Sequence, residues 1–111
     1  MLVRNLADRE VKETAYVAHK GALATMVLDP RDLRHIGFLA HAIVEPGRTI
    51  EAHRDPVEEI YFVYRGRGRM RVGEQERPVA QGDAIHIPVG EVHTLTNDSG
   101  ETLEILVIAS P

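Results

Sequence analysis

From residue 37 onward the apolar residues fall into short runs, each closed by a turn signal. In 58–65, Glu59, Tyr61 and Val63 alternate with Ile60, Phe62 and Tyr64. A period of two marks an extended chain whose successive side chains point to opposite faces. The run 102–109 behaves alike, with Leu103, Ile105 and Val107 on one side and Leu106 and Ile108 on the other. Both sides of each run are largely apolar, so each strand is expected to be covered twice, once inside the fold and once by another sheet or subunit. Between the runs stand Pro46-Gly47, Arg65-Gly66-Arg67-Gly68, Val72-Gly73-Glu74-Gln75, Gln81-Gly82-Asp83, Pro88-Val89-Gly90 and Asn97-Asp98-Ser99-Gly100. These are residue types that supply positive φ, a fixed φ or side-chain bonds to turn backbone. The pattern predicts strands over 37–45, 58–65, 68–72, 84–88, 92–96 and 102–109. The first 30 residues are less regular; they read as strands over 13–18 and 22–28, a turn at Asp29-Pro30-Arg31-Asp32 and a short helix over 6–13. Short strands at this spacing make an all-β chain, folded as an antiparallel sandwich or barrel.

Composition narrows the chemistry. With 111 residues the chain suits one domain with one core. It has no cysteine, which excludes disulfides, zinc ribbons, iron–sulfur clusters and thiol catalysis. Thirteen basic residues are scattered among 17 acids, a net charge of −4, so no basic footprint for nucleic acid stands out. Arg67, Arg69 and Arg71 alternate with Gly68, Met70 and Val72. They form either a clamp for an anion or a solvated outer face balanced by acids on a neighbouring strand. No apolar run approaches the ~18 residues of a membrane span. The acidic turn of MLVRNLADRE is unlike an export signal, and a cytoplasmic location is expected. Apolar surface on both sides of the strands predicts a homodimer.

Two stretches carry metal-site chemistry. In GRTIEAHRDPVEEIYFVYRG, residues 47–66, His53 and Asp55 are two apart and share a face of an extended chain, and Glu59 follows across Pro56. In GDAIHIPVGEVHTLTN, residues 82–97, Pro88 and Gly90 make a turn that delivers His93 to the start of a new strand. Two imidazoles and two carboxylates converging inside a barrel form an N/O site for a divalent transition ion such as Mn, Fe, Ni or Zn. About two positions on the ion would stay open for water or substrate.

These stretches closely resemble the paired motifs of the cupin superfamily. Gly47, His53, Glu59 and Gly66 match the first motif in register, with Asp55 where the family has a second His; Gly82, Pro88, Gly90, His93 and Asn97 match the second throughout. The resemblance implies a small β-barrel or jelly roll over 1–111, with N-terminal strands in 1–36 and a metal inside. By position the ligands would be His53, Asp55, Glu59 and His93. The departure at Asp55 leaves three readings. They are a two-His, two-carboxylate set, a three-ligand set without Asp55, and a decayed site with no metal.

Around this centre, Tyr61 shares the Glu59 face and is read either as a phenol that orients substrate or moves a proton, or as an aromatic that fills the barrel. His41, amid small apolar neighbours, is read either as a pocket residue contacting substrate or as a hydrogen-bonded core His. Alternation cannot say which side His86 faces. Glu58 competes with Glu59, but parity favours Glu59. Asn97 is expected to order its own turn. His19 and His35 stand alone and carry no reading. The functional expectation is a metal-dependent enzyme of dioxygenase, isomerase or lyase type acting on a small polar molecule. The alternative is a non-enzymatic sensor or binding module built on the same barrel.

Overall fold

The computed structural model describes all residues, 1–111. One helical turn, α1 (Arg9–Lys12), is followed by ten strands: β1 (Tyr16–Ala18), β2 (Ala22–Leu28), β3 (Phe38–Val44), β4 (Thr49–His53), β5 (Glu59–Arg65), β6 (Arg67–Val72), β7 (Gln75–Ala80), β8 (Ala84–Ile87), β9 (His93–Thr96) and β10 (Leu103–Ala109). All pairings are antiparallel. They build a six-stranded sheet in the order β1-β2-β3-β10-β5-β8 and a four-stranded sheet in the order β4-β9-β6-β7. This is the antiparallel architecture that the strand spacing predicted, in the jelly-roll form that the resemblance implied. No helix is long and apolar enough to cross a membrane.

The inner faces meet over Val44, Val63, Ile87, Leu95, Leu103 and Ile105, all essentially fully buried. Burying side chains of this kind stabilises the fold by about 1.5–3 kcal/mol each. On β5 the alternation is realised, with Glu59, Tyr61 and Val63 inside. The outer row Ile60, Phe62 and Tyr64 keeps 41, 37 and 50% of its surface exposed, so within this chain the strand is covered once. Arg67, Arg69 and Arg71 lie on the outside of the small sheet, and Arg69 pairs with Glu76 on β7 at 3.2 Å. The row is a solvated face balanced across strands.

Four segments differ from expectation. Residues 13–15 are not strand; Thr14 instead tethers α1 to β2, its hydroxyl donating to the Val11 carbonyl and accepting from Met26 N. The helix contracts to one turn that buries Val11. Two strands escaped the periodicity, β4 and β7, because each buries a single apolar side chain, Ile50 and Val79 respectively.

Asn97 is fully buried and organises its turn. Its side-chain amide donates to Val44 O at 2.8 Å and Glu101 O at 2.6 Å, and its Oδ1 accepts from the amide and hydroxyl of Ser99. Asn97→Ala removes the buried donor to Val44 O and is expected to cost about 1–3 kcal/mol. The measurement is urea denaturation; a loss under 1 kcal/mol would contradict this role.

Candidate metal centre

The register of the small sheet builds the first half of the centre. His53 ends β4 and His93 begins β9, and the two are direct cross-strand partners. Their rings therefore lie 4.2 Å apart between centroids. A β-irregularity between Ile50 and His53 re-aims the end of β4. Each imidazole is fixed from behind: His53 Nδ1 donates to Glu51 O at 2.7 Å, and His93 Nδ1 donates to Glu91 O at 2.9 Å. These bonds place the proton on Nδ1 and leave the Nε2 lone pairs facing inward, the arrangement that orients metal-binding histidines.

The carboxylates come from elsewhere. Asp55 lies in the loop after β4, where its carbonyl accepts from Gly90 N at 2.9 Å and so ties the two motif loops together. Glu59 opens β5 in the large sheet and turns inward, whereas Glu58 turns out and accepts from His86 Nε2 at 2.6 Å. His86 is accordingly an outer residue.

The four side chains converge. Asp55 Oδ2 is 3.2 Å from His53 Nε2 and 3.6 Å from His93 Nε2, and Glu59 Oε1 is 3.5 Å from His93 Nε2. Glu59 Oε1 and His93 Nε2 are buried without any hydrogen-bond partner. Buried polar atoms are rarely left so. An ion about 2.0–2.2 Å from each donor spaces the donors by roughly 3–4.4 Å, so these four residues fit a divalent cation. Electrostatics agree: burial, then the neighbouring Asp55 carboxylate, push Glu59 up to about 8. Burial lowers His93 from the usual imidazole value, which keeps its lone pair free. Two adjacent carboxylates in a dry site otherwise resist ionising together.

A cavity of about 250 Å³ opens beside these donors. Ala18, Ala22, Ala24, Ala40 and Ala42, from β1 to β3, form one wall, and Met26, Phe38 and Val107 extend it. Tyr61 lines the cavity with its ring edge-on to His93 at 5.7 Å. Burial, and then Glu59, raise its phenol far above the ordinary value, which favours the protonated form. His41 does not join them. Its neighbours Ala40 and Ala42 face the cavity, while His41 points to the other side of the sheet. There its Nε2 donates to Glu104 Oε1 at 2.8 Å, and Arg65 approaches the same carboxylate at 3.4 Å. It is a buried, hydrogen-bonded histidine and not a cavity contact. Conversely, His19 reaches the site although it stood alone in the sequence; its ring stacks on that of His53. Burial and the neighbouring His53 lower its affinity for a proton. No local signal marks it, because the contact is made across the two sheets.

Comparison with known proteins gives the family and the fold. The profile described as cupin domain matches residues 40–109, from β3 through β10. An uncharacterized protein of Methanocaldococcus jannaschii is 32% identical over 98 residues, covering 86% of this chain and 78% of its own. Auxin-binding protein 1 of Arabidopsis thaliana is 32% identical over 74 residues, 59% of this chain; the match spans only 37% of that relative's length. The crystal structure of a predicted oxalate decarboxylase from Thermotoga maritima covers 98% of both chains with a TM-score of 0.77 at 21% identity, a likeness of fold. With the domain profile spanning more than half of its residues, and both motifs meeting in one cluster of donors, the chain belongs to the cupin family.

Proposed function

We propose that this protein is a metal-dependent cupin enzyme of isomerase or lyase type, whose substrate is a small molecule with an oxygen-bearing head and an apolar body. The observation that carries the reading is the pair of buried, unsatisfied atoms Glu59 Oε1 and His93 Nε2, beside two imidazoles locked by backbone carbonyls. His53, Asp55, Glu59 and His93 would hold a divalent ion such as Mn, Fe, Ni or Zn. Bound there, the ion supplies Lewis-acid polarisation of a carbonyl or carboxylate oxygen. Tyr61, kept protonated beside the donors, positions the substrate head by donating a hydrogen bond. The alanine wall takes the apolar body and excludes water. Thirteen of the eighteen lining residues are hydrophobic, and the volume is below the ~300–1,000 Å³ of drug-sized ligands. The substrate is therefore read as less polar than the small polar molecule expected from the sequence. Dioxygenase chemistry on the same scaffold requires that the ion be redox-active.

Elemental analysis of untagged protein purified without chelator tests the centre. Near-stoichiometric metal is expected, with affinity falling tenfold or more in Asp55→Ala. Full retention in that variant would select the three-ligand set, and no metal even after reconstitution would refute the metalloenzyme reading. A second reading, a binding module without turnover, is favoured by the match to a protein named for binding auxin. Tight binding of a small carboxylate that is recovered unchanged would establish it.

The exposed row Ile60, Phe62, Tyr64 and Ile108 is read as the interface of a homodimer. Light scattering should give roughly twice the chain's 12.4 kDa, and Phe62→Lys should halve that mass without changing metal content. A monomeric wild type would exclude it.

A further inference from the structure

The β1–β2 turn belongs to the large sheet by sequence, yet it is pinned to the strand of the small sheet that ends in His53. Gly21 lies so close to β4 that a Cβ there would stand 1.6 Å from Thr49 O. Glu51 N donates to His19 O at 3.0 Å, and Lys20 Nζ lies 3.6 Å from Glu51 Oε2. His19 and Lys20 both take positive φ, 45° and 61°, to make this turn. The outcome is that the His19 imidazole lies flat on His53, with centroids 3.4 Å apart and planes within 10°. Ligand atoms of His19, His53 and Asp55 all fall within 4.8 Å of one another, and Asp55 is shared with the second such group, Asp55, Glu59 and His93.

We infer that His19 is a further donor to the metal centre, supplying from the β1–β2 turn an imidazole beside the position where this chain carries Asp55. The inference rests on the metal reading above. Its physical basis is that the turn is held by backbone bonds and a glycine contact independent of the ring, so the imidazole is presented to the centre. The donor set then draws on β4, β9, the loop after β4, β5 and the β1–β2 turn, with three imidazoles in all. Imidazole-rich sets suit Fe, Ni, Cu and Zn.

The test uses the full chain stripped of metal and reloaded with Co(II), read by paramagnetic NMR and by chelator competition. His19→Asn is the variant, because Asn tolerates positive φ and keeps the turn; His19→Gly is the second, free of that steric demand. The wild type is expected to show three sets of hyperfine-shifted imidazole ring signals and each variant two, with the Co(II) Kd weakened about tenfold to a hundredfold. Two sets in the wild type, or three retained in the variants, would overturn the role of His19. If Co(II) is lost in His93→Ala while His19→Asn matches the wild type in both readouts, only this inference falls. If the wild type takes up no Co(II), the metal reading itself has failed, and His19 with it.

Discussion

His93→Ala is expected to remove the metal altogether, with affinity reduced by a hundredfold or more. No other side chain in the centre combines its properties: it is 1% exposed, its proton is fixed on Nδ1 by Glu91 O, and its Nε2 lies within 3.6 Å of both carboxylates. The effect should be visible in thermal melts. A ligand that binds only the folded state at a thousand times its Kd stabilises by about 4 kcal/mol. In a domain of this size that raises Tm by about 15 °C. Wild-type protein should show this upshift on adding the metal found in it, and His93→Ala should melt at one temperature with or without it. An equal upshift in the variant would remove His93 from the ligand set. The metal-free melting point of the variant separates this effect from damage to the core, since Leu95 two residues on is itself fully buried.

Ala42→Leu is expected to abolish substrate binding while leaving metal content intact. Ala24 and Ala42 are direct cross-strand partners, and both face the cavity. An isobutyl group on Ala42 would project into the cavity proposed to take the apolar body. Over-packing of this kind costs about 1–3 kcal/mol in a filled core, and less where a cavity receives the added atoms. Affinity of metal-loaded protein for small carboxylates carrying an aryl or branched alkyl body should drop by about a hundredfold. Acetate, which has no such body, should bind both proteins alike. The measurement is calorimetric titration across that pair of ligands. If Ala42→Leu binds the larger carboxylates as well as the wild type does, the alanine wall is not the substrate wall.

The sequence made the motif residues legible because their spacing is local. His53, Glu59 and His93 come together through register and parity, both of which can be counted along the chain. Likewise Glu59 was separable from Glu58 by alternation, and the structure puts one inside and the other against His86. Where both faces of a strand are apolar the parity signal vanishes. β3 reads FLAHAIV, and only its pairing with β10 shows that His41 turns toward Glu104 and away from the cavity. β7 was illegible for the opposite reason: QERPVA is an edge strand whose polar residues are solvated, with Val79 alone inside. His19 lies beyond any local reading, since the contact that delivers it is made by Gly21, where any Cβ would stand 1.6 Å from the Thr49 carbonyl oxygen.

The donors straddle both sheets, with His53 and His93 on the small one and Glu59 at the start of β5 on the large one. An ion held between them is a cross-link, in a chain that has no cysteine with which to make one. It differs from a disulfide in forming only once the two halves of the sandwich have closed, since no pair of donors in the unfolded chain would be held at this spacing. It is also removable. Taking it away would leave the edge strand β4 tied to the large sheet by the bond from Glu51 N to His19 O and by the close approach of Gly21 to Thr49.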